Sequence, residues 1–344
     1  MQNIKMYSDA VIEGISVPVG TPDSDVLLKA KQKMKRSGIR TEALHFRIYK
    51  NSVDARRRND IRLVYSVLCS VIGGERALRE DMLARAGIRP LTVEKVDLSP
   101  VREAGDIPCR LASRPLVGGM GPAGLFCAYI LAQNGYAPVI IDRGDGVDER
   151  VAAVEKFVAD GALDSESNVQ FGAGGAGTFS DGKLLTRISD ARCNYVMETL
   201  CRMGAPEDIL LKAKPHVGTD ILRVVVKNML DEIERLGGSV CYRTRLEDLS
   251  RTAAGGFIAK TNKGDISAGA LVLAIGNGAR DTFKMLLEKD LLIEPKPISV
   301  GVRIEHRRED IDSMLYGKLA GHPDLGAAEY NLSDTRGERG VYTF

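Results

Sequence analysis

The stretch RPLVGGMGPAGLFCAYILAQNGYAPVIID, residues 114–142, holds a complete pattern of strand, loop, helix and second strand. Leu116–Gly118 predicts a short buried strand, and Pro122–Asn134 predicts a helix that a glycine stops. The apolar run Pro138–Ile141 predicts the next strand, which ends at Asp142. This order is the start of a parallel sheet with a helical crossover, and the rest of the chain is best understood from it.

The loop between this strand and this helix has glycine where the backbone needs it. Gly119 permits the tight turn out of the strand, Gly121 lets the backbone approach a diphosphate, and Gly124 lets the helix lie close to the sheet. The free N–H groups at the helix start favour an anion. Asp142 is placed to accept hydrogen bonds from a ribose hydroxyl. The predicted dinucleotide-binding residues are Gly119, Gly121, Pro122, Ala123, Gly124, Asp142 and Arg143.

Composition supports a soluble globular protein. The chain is 44% hydrophobic and 27% charged with a net charge of +2, so neither a membrane nor a nucleic acid is expected as its main partner. Residues 115–141 carry no charge, but glycines, prolines and amides interrupt them, which argues against a transmembrane helix. No signal-peptide pattern opens the chain, so a cytoplasmic location is expected. The six cysteines lack the spacing of zinc sites, and no metal site is expected.

The length predicts about two domains. Residues 1–100 have the order strand, helix, strand, strand, helix, which predicts a small α+β, ferredoxin-like domain. Residues 101–113 are the predicted linker, 114–297 the nucleotide-binding domain, and 298–344 the start of a substrate-covering cap region. Because residues 341–344 have the pattern of a strand, the chain is expected to be incomplete at this end.

Further elements follow from apolar periodicity and from glycine stops. The predictions are helices at Asp23–Arg36, Arg76–Ala86, Val147–Gly161, Ile221–Leu236 and Asp281–Glu288, and strands at Val11–Val19, Leu44–Tyr49, Ile61–Val67, Ser239–Thr244, Phe257–Thr261, Asp265–Ser267, Ala270–Ile275 and Ile298–Glu305.

A second glycine-rich segment lies at residues 172–177, between Phe171 and Phe179. Its backbone N–H groups, together with the hydroxyls of Thr178 and Ser180, are predicted to face a ligand. The alternative is a mobile surface loop. The further predicted ligand-binding residues are Arg150, Gly174, Gly175, Gly177, Thr178, Ser180, Ala274 and Gly276.

Two other features have an ordinary explanation beside a functional one. Arg56, Arg57 and Arg58 could contact phosphate or RNA, but a solvated turn is the simpler interpretation. His216 could donate a proton near a cofactor, but a histidine bonded to a nearby carbonyl is the simpler interpretation. No catalytic acid or base is assigned.

These residues resemble those of the bacterial FAD-dependent dehydrogenases that share a glutathione-reductase type of FAD domain. The supporting stretches are GPAGLF at 121–126, SNVQFGAGGAGTFSDGKL at 167–184, PHVGTD at 215–220, ARDTF at 279–283 and GVRIEH at 301–306. The resemblance implies an α/β fold, with a Rossmann-like FAD/NAD(P)-binding domain in three β/β/α layers. It also implies FAD with its diphosphate at residues 119–124, Gly174–Ser180 toward the flavin, and residues 274–276 at the middle of the cofactor.

Three hypotheses follow. The first is an FAD-dependent oxidoreductase acting on a small molecule, with NAD(P)H as a candidate reductant. The second is a flavoprotein that binds or modifies RNA through its N-terminal domain. The third is a Rossmann dehydrogenase that uses NAD alone.

Overall fold

The computed structural model describes residues 5–74, 77–92, 98, 111, 113–180, 182–184, 186, 188, 190–212, 215–298, 300–330, 332–336 and 340–342. Contacts divide the chain into unit 1, residues 1–94, 210–213 and 297–344, and unit 2, residues 95–209 and 214–296. The predicted cap region therefore groups with the N-terminal part. Most of the predicted linker 101–113 lies outside the described residues.

Unit 1 begins with a sheet and two helices. Its N-terminal elements are β1 (Met6–Tyr7), β2 (Asp9–Pro18), α1 (Asp23–Arg36), β3 (Leu44–Asp54), β4 (Arg62–Val71), β5 (Leu78–Arg79), α2 (Glu80–Arg85) and β6 (Arg89–Leu91). Four strands form a sheet in the order β3-β4-β2-β6 with antiparallel neighbours. The buried residues of α1, Val26, Ala30 and Met34, recur every four positions, so they share the helix face that joins the core.

Unit 2 contains the predicted parallel sheet. Its elements are β7 (Leu116–Gly118), α3 (Pro122–Gln133), β8 (Val139–Ile141), α4 (Val147–Asp160), α5 (Arg192–Arg202), α6 (Thr219–Arg235), β9 (Ser239–Cys241), β10 (Leu246–Arg251), β11 (Phe257–Thr261), β12 (Gly264–Ala268), β13 (Leu271–Leu273) and α7 (Arg280–Glu288). Short 3₁₀ turns lie at Gly175–Phe179 and Glu207–Leu210. The prediction of a mixed α/β fold with a parallel sheet is confirmed.

The parallel sheet has the order β13-β7-β8-β9. Side chains alternate across it, because successive residues of a strand point to opposite faces. Val117 and Ile140 belong to one core cluster with helices α3 and α6, whereas Leu116 and Ile141 belong to another with the antiparallel strands β10, β11 and β12. The sheet is therefore the middle of three layers.

Successive connections of the chain lead to opposite sides of β7 in this parallel sheet. The first connection leads from β7 to β8 on one side, and β13 returns on the other side. In open parallel sheets, ligands bind outside the carboxyl ends of the strands at such a switch point. The loops after β7 and β13 are therefore the first place to look for a site.

The last elements are α8 (Arg308–Tyr316), a 3₁₀ turn at Gly317–Leu319, β14 (Ser333–Asp334) and β15 (Val341–Tyr342). The predicted strand Ile298–Glu305 is wrong for its described residues, which adopt no regular structure. Its apolar side chains alternate as in a strand, yet Val300 and Val302 are 87% and 86% exposed. The alternating pattern is present, but no strand in the described chain pairs with this segment.

No helix formed by the described residues is both long enough and apolar enough to cross a bilayer.

Candidate functional site

The loop after β7 is packed against the end of β13. The N–H of Ala274 donates to the carbonyl of Gly118 at 2.7 Å. Gly119 has φ of +106°, and a Cβ there would overlap the carbonyl of Ala274. A Cβ at Gly124 would overlap the carbonyl oxygen of Gly119. Both glycines are therefore required by the protein's own packing, as the sequence predicted for the turn and for the helix contact.

Gly121 differs from these two glycines. Its φ of −71° suits any residue, and the nearest atom to an added Cβ is the Cα of Gly175 at 3.9 Å. Pro122 and Ala123, at the first positions of α3, are exposed. The start of the helix, where N–H groups lack intrahelical partners, thus faces open space beside a residue without a side chain. This combination leaves room for an anion.

Asp142 fastens the loop from the end of β8. One carboxylate oxygen accepts the N–H of Met120 at 2.8 Å, and the other accepts the N–H groups of Gly144 and Gly172, each at 2.9 Å. A carboxylate has about four acceptor positions, so these bonds use most of its capacity. Asp142 therefore orders two glycine-rich segments, a role that its predicted contact with ribose did not include.

The second glycine-rich segment lies against the first. The N–H of Gly174 donates to the carbonyl of Met120 at 2.8 Å. A Cβ at Gly175, whose φ is +62°, would come within 2.9 Å of the Cα of Gly121. Gly177, in contrast, has nothing within 4 Å of its added Cβ. The structure thus brings together the two segments that the sequence singled out.

The hydroxyl groups of this segment are placed differently from the prediction. Thr178 is buried, and its hydroxyl donates to the carbonyl of Ala173 at 3.3 Å, so it is not a surface donor for a ligand. Ser180 is exposed, and its hydroxyl donates to the carbonyl of Gly177 at 3.0 Å. Both hydroxyls therefore bond to backbone carbonyls within the same segment.

Arg150 lies inside the fold. The sequence placed it among the cofactor-binding residues, but its side chain is fully buried. Its guanidinium donates to the carbonyls of Asn168, Val169 and Ala173 at 2.7–2.8 Å. Burial lowers the pKa of Arg150 to about 10. Arg150 therefore holds the chain before and within the second glycine segment by bonding to its carbonyls, and its guanidinium is shielded from solvent.

Arg143 lines a small cleft at the carboxyl end of β8. It donates to both carboxylate oxygens of Asp281 at 2.7 and 2.8 Å, and its Cζ lies 4.5 Å from the centre of the Phe171 ring. The residues around this cleft include Asp142, Thr244, Arg245 and Thr282. The last three were not among the predicted site residues: no local motif marks the turn after β9, and Thr282 was noted only within the stretch ARDTF at 279–283.

Other predicted positions are now located. Gly276 follows β13 with φ of +69° and nothing within 4 Å of an added Cβ, so it resembles Gly121 in leaving space. His216 joins Lys183 in an isolated antiparallel bridge. In unit 1, Arg56 pairs with Asp54 at 2.6 Å. Arg58 donates to the carbonyl of Ser313 at 3.0 Å.

Residues 297–344 match the family described as "FAD-dependent protein, C-terminal domain-like". The resemblance to FAD-dependent proteins that the motifs indicated is thereby confirmed.

Known proteins give further similarities. A Clostridium beijerinckii protein named "Uncharacterized protein" is 41% identical over 329 residues, or 94% of this chain and 60% of that relative. The chain thus spans 60% of the relative's length. Glycine oxidase from Geobacillus kaustophilus is 13% identical with a TM-score of 0.34, covering 50% of this chain and 57% of that one. THI4 from Thermovibrio ammonificans is 15% identical with a TM-score of 0.33, covering 52% and 64%.

Proposed function

We propose that the protein is an FAD-dependent oxidoreductase that acts on a small molecule. The observation that carries the proposal is the meeting of two glycine-rich segments at the open start of α3, beside the switch point of the parallel sheet. Gly119 and Gly124 close the packing beneath this place, while Gly121 leaves it free of a side chain, and Gly177 and Gly276 also have open space at the position of an added Cβ. Such a cradle fits a diphosphate.

The residues proposed to hold FAD follow from this geometry. The diphosphate would lie at residues 119–124, with Gly174–Ser180 and residues 274–276 supporting the rest of the cofactor. Asp142 and the cleft beside Arg143 would receive the adenosine end. Bound FAD would supply hydride or electron transfer, and the chain would supply position and electrostatics. NAD(P)H is the proposed reductant.

The proposed organisation assigns a role to each region. Residues 114–297 form the FAD domain and residues 298–344 begin a cap. The N-terminal sheet is proposed to be a ferredoxin-like domain, which its order β3-β4-β2-β6 and antiparallel pairing support. A cytoplasmic location is proposed with it. An RNA-binding function is not proposed, because Arg56 and Arg58 are engaged within unit 1 and the comparisons add no support.

The test is a cofactor measurement on the purified protein. We expect a flavin absorption spectrum, either as isolated or after incubation with FAD, and release of FAD on denaturation. Titration with NAD in parallel tests the NAD-only dehydrogenase. Protein that stays colourless with FAD but binds NAD with a micromolar dissociation constant would overturn the proposal.

A further inference from the structure

Two arginines lie over one aromatic ring beside the second glycine segment. The Cζ of Arg150, from α4, is 4.7 Å from the centre of the Phe179 ring, and the Cζ of Arg223, from α6, is 5.2 Å from it. The ring belongs to the 3₁₀ turn Gly175–Phe179. Two positive charges from separate helices thus converge on the turn that contacts Gly121.

These charges lack carboxylate partners in the described part of the chain. Arg150 bonds to neutral groups only, and Asp142 acts on it through its charge without a hydrogen bond. Arg223 forms no ion pair with a described residue, and its Nε is buried without a hydrogen-bond partner there. A buried N–H donor such as this Nε is costly unless an acceptor completes its surroundings, and a phosphate oxygen is such an acceptor.

We propose that Arg150 and Arg223 attract and position the phosphate groups of the bound dinucleotide. The inference rests on the proposed function. It adds two arginine side chains to a diphosphate site that is otherwise formed by backbone groups. Guanidinium groups suit phosphate because their N–H donors match its oxygens. Arg150, fully buried, acts as a positioning residue through the turn. Arg223 is only half-buried, so of the two arginines it is the one that can contact a ligand.

The experiment compares ligands with and without phosphate on the apoprotein of the full chain. FAD, ADP, adenosine and riboflavin are titrated at low and high salt against the wild type, Arg223→Met and Arg223→Lys. Arg235→Met is the matched control, since Arg235 lies on the same helix but is exposed and paired with Glu232 at 2.6 Å. A charge-assisted contact predicts that Arg223→Met weakens FAD and ADP about tenfold and flattens their salt dependence.

The other ligands and variants sharpen the expectation. Arg223→Lys should recover part of the lost affinity, because it restores the charge without the planar fork. Adenosine and riboflavin should bind to Arg223→Met as they bind to the wild type. The control should match the wild type with all four ligands. Thermal unfolding of each apoprotein shows whether a variant is folded before it is titrated.

Three outcomes would overturn the inference. Unchanged FAD and ADP affinity in Arg223→Met would remove it and leave the proposed function standing. Equal weakening of riboflavin would mean that Arg223 acts on the fold or on the flavin. If the wild type binds no FAD, the proposed function fails, and inorganic pyrophosphate then decides separately: stabilisation against heat that Arg223→Met abolishes keeps the phosphate site, and no stabilisation removes it.

Discussion

The two glycine-rich segments of unit 2 lie in contact, but different forces hold them. The segment Gly119–Gly124 is fixed by backbone packed on backbone, with Gly119 and Gly124 against neighbouring carbonyls. The Asp142 carboxylate bonds to both segments, but only the segment Gly172–Gly177 is also held by a buried guanidinium, because Arg150 donates to the carbonyl of Ala173. Within each segment, some glycines are needed because an added Cβ would overlap neighbouring atoms, and one glycine has open space at the position of an added Cβ. The difference separates glycines that the fold needs from glycines that a ligand would need.

The largest expected effect is on a packing glycine. Gly124→Ala would place a methyl group on the carbonyl oxygen of Gly119, and neither backbone can move without shifting α3 from the sheet. We expect a loss of stability of about 3 kcal/mol or more. Denaturant unfolding followed by circular dichroism measures it. A variant as stable as the wild type would show that α3 does not depend on this contact.

Gly121→Val is the matched substitution at an open glycine. The backbone at Gly121 accepts a side chain, and the nearest atom lies 3.9 Å from the new Cβ. The side chain would occupy the space assigned to the diphosphate, so we expect FAD affinity to fall at least about a hundredfold while the fold is retained. Equilibrium titration with FAD and a thermal melt of the same sample measure the two effects. Wild-type affinity would place the diphosphate elsewhere.

The contrast also shows how far the sequence could lead. The strand, loop and helix from Leu116 to Gln133 were predicted to within a residue, because turn glycines, helix stops and apolar runs are local signals. The second glycine segment was also singled out from the sequence, and the structure places it against the first. The role of Arg150 was not, because its three carbonyl acceptors are 18 to 23 residues away and no periodicity encodes them.

Pairing between distant segments is the second feature that the sequence could not predict. Helices α5 and α8 and strand β10 were not predicted, and the alternating run Ile298–Glu305 was predicted as a strand that its described residues do not form. Alternation shows that a segment is suited to a sheet, but a strand exists only where a neighbour offers hydrogen bonds. The sequence of one segment does not contain that information.

A smaller effect distinguishes two glycines of the second segment. Gly175 has φ of +62° and lies close to Gly121, whereas Gly177 has open space around its added Cβ. We expect Gly175→Ala to cost about 1–2 kcal/mol and Gly177→Ala to change stability by less than about 0.5 kcal/mol. Chemical denaturation of the pair under one condition measures the difference. Equal stabilities would mean that the turn is not held in this conformation.

The smallest expected effect concerns the charges that anchor the chain before the second segment. Arg243 pairs with Asp145 and donates to Asp164 at 2.7 Å, and these hydrogen bonds lower the pKa of Asp164. Because the folded pKa is depressed, the stabilisation is present at neutral pH and is lost as pH falls through that value. All three side chains are partly exposed, so Arg243→Met should cost less than about 1 kcal/mol.

The pH dependence of the stability loss in Arg243→Met shows whether the loss comes from the charges. The thermal midpoint of Arg243→Met should lie below that of the wild type at pH 7, and the gap should narrow as the pH falls through the depressed pKa of Asp164. Added salt should narrow the gap at pH 7, because partly exposed pairs are screened. A gap that persists unchanged at low pH would assign the loss to packing of the arginine side chain.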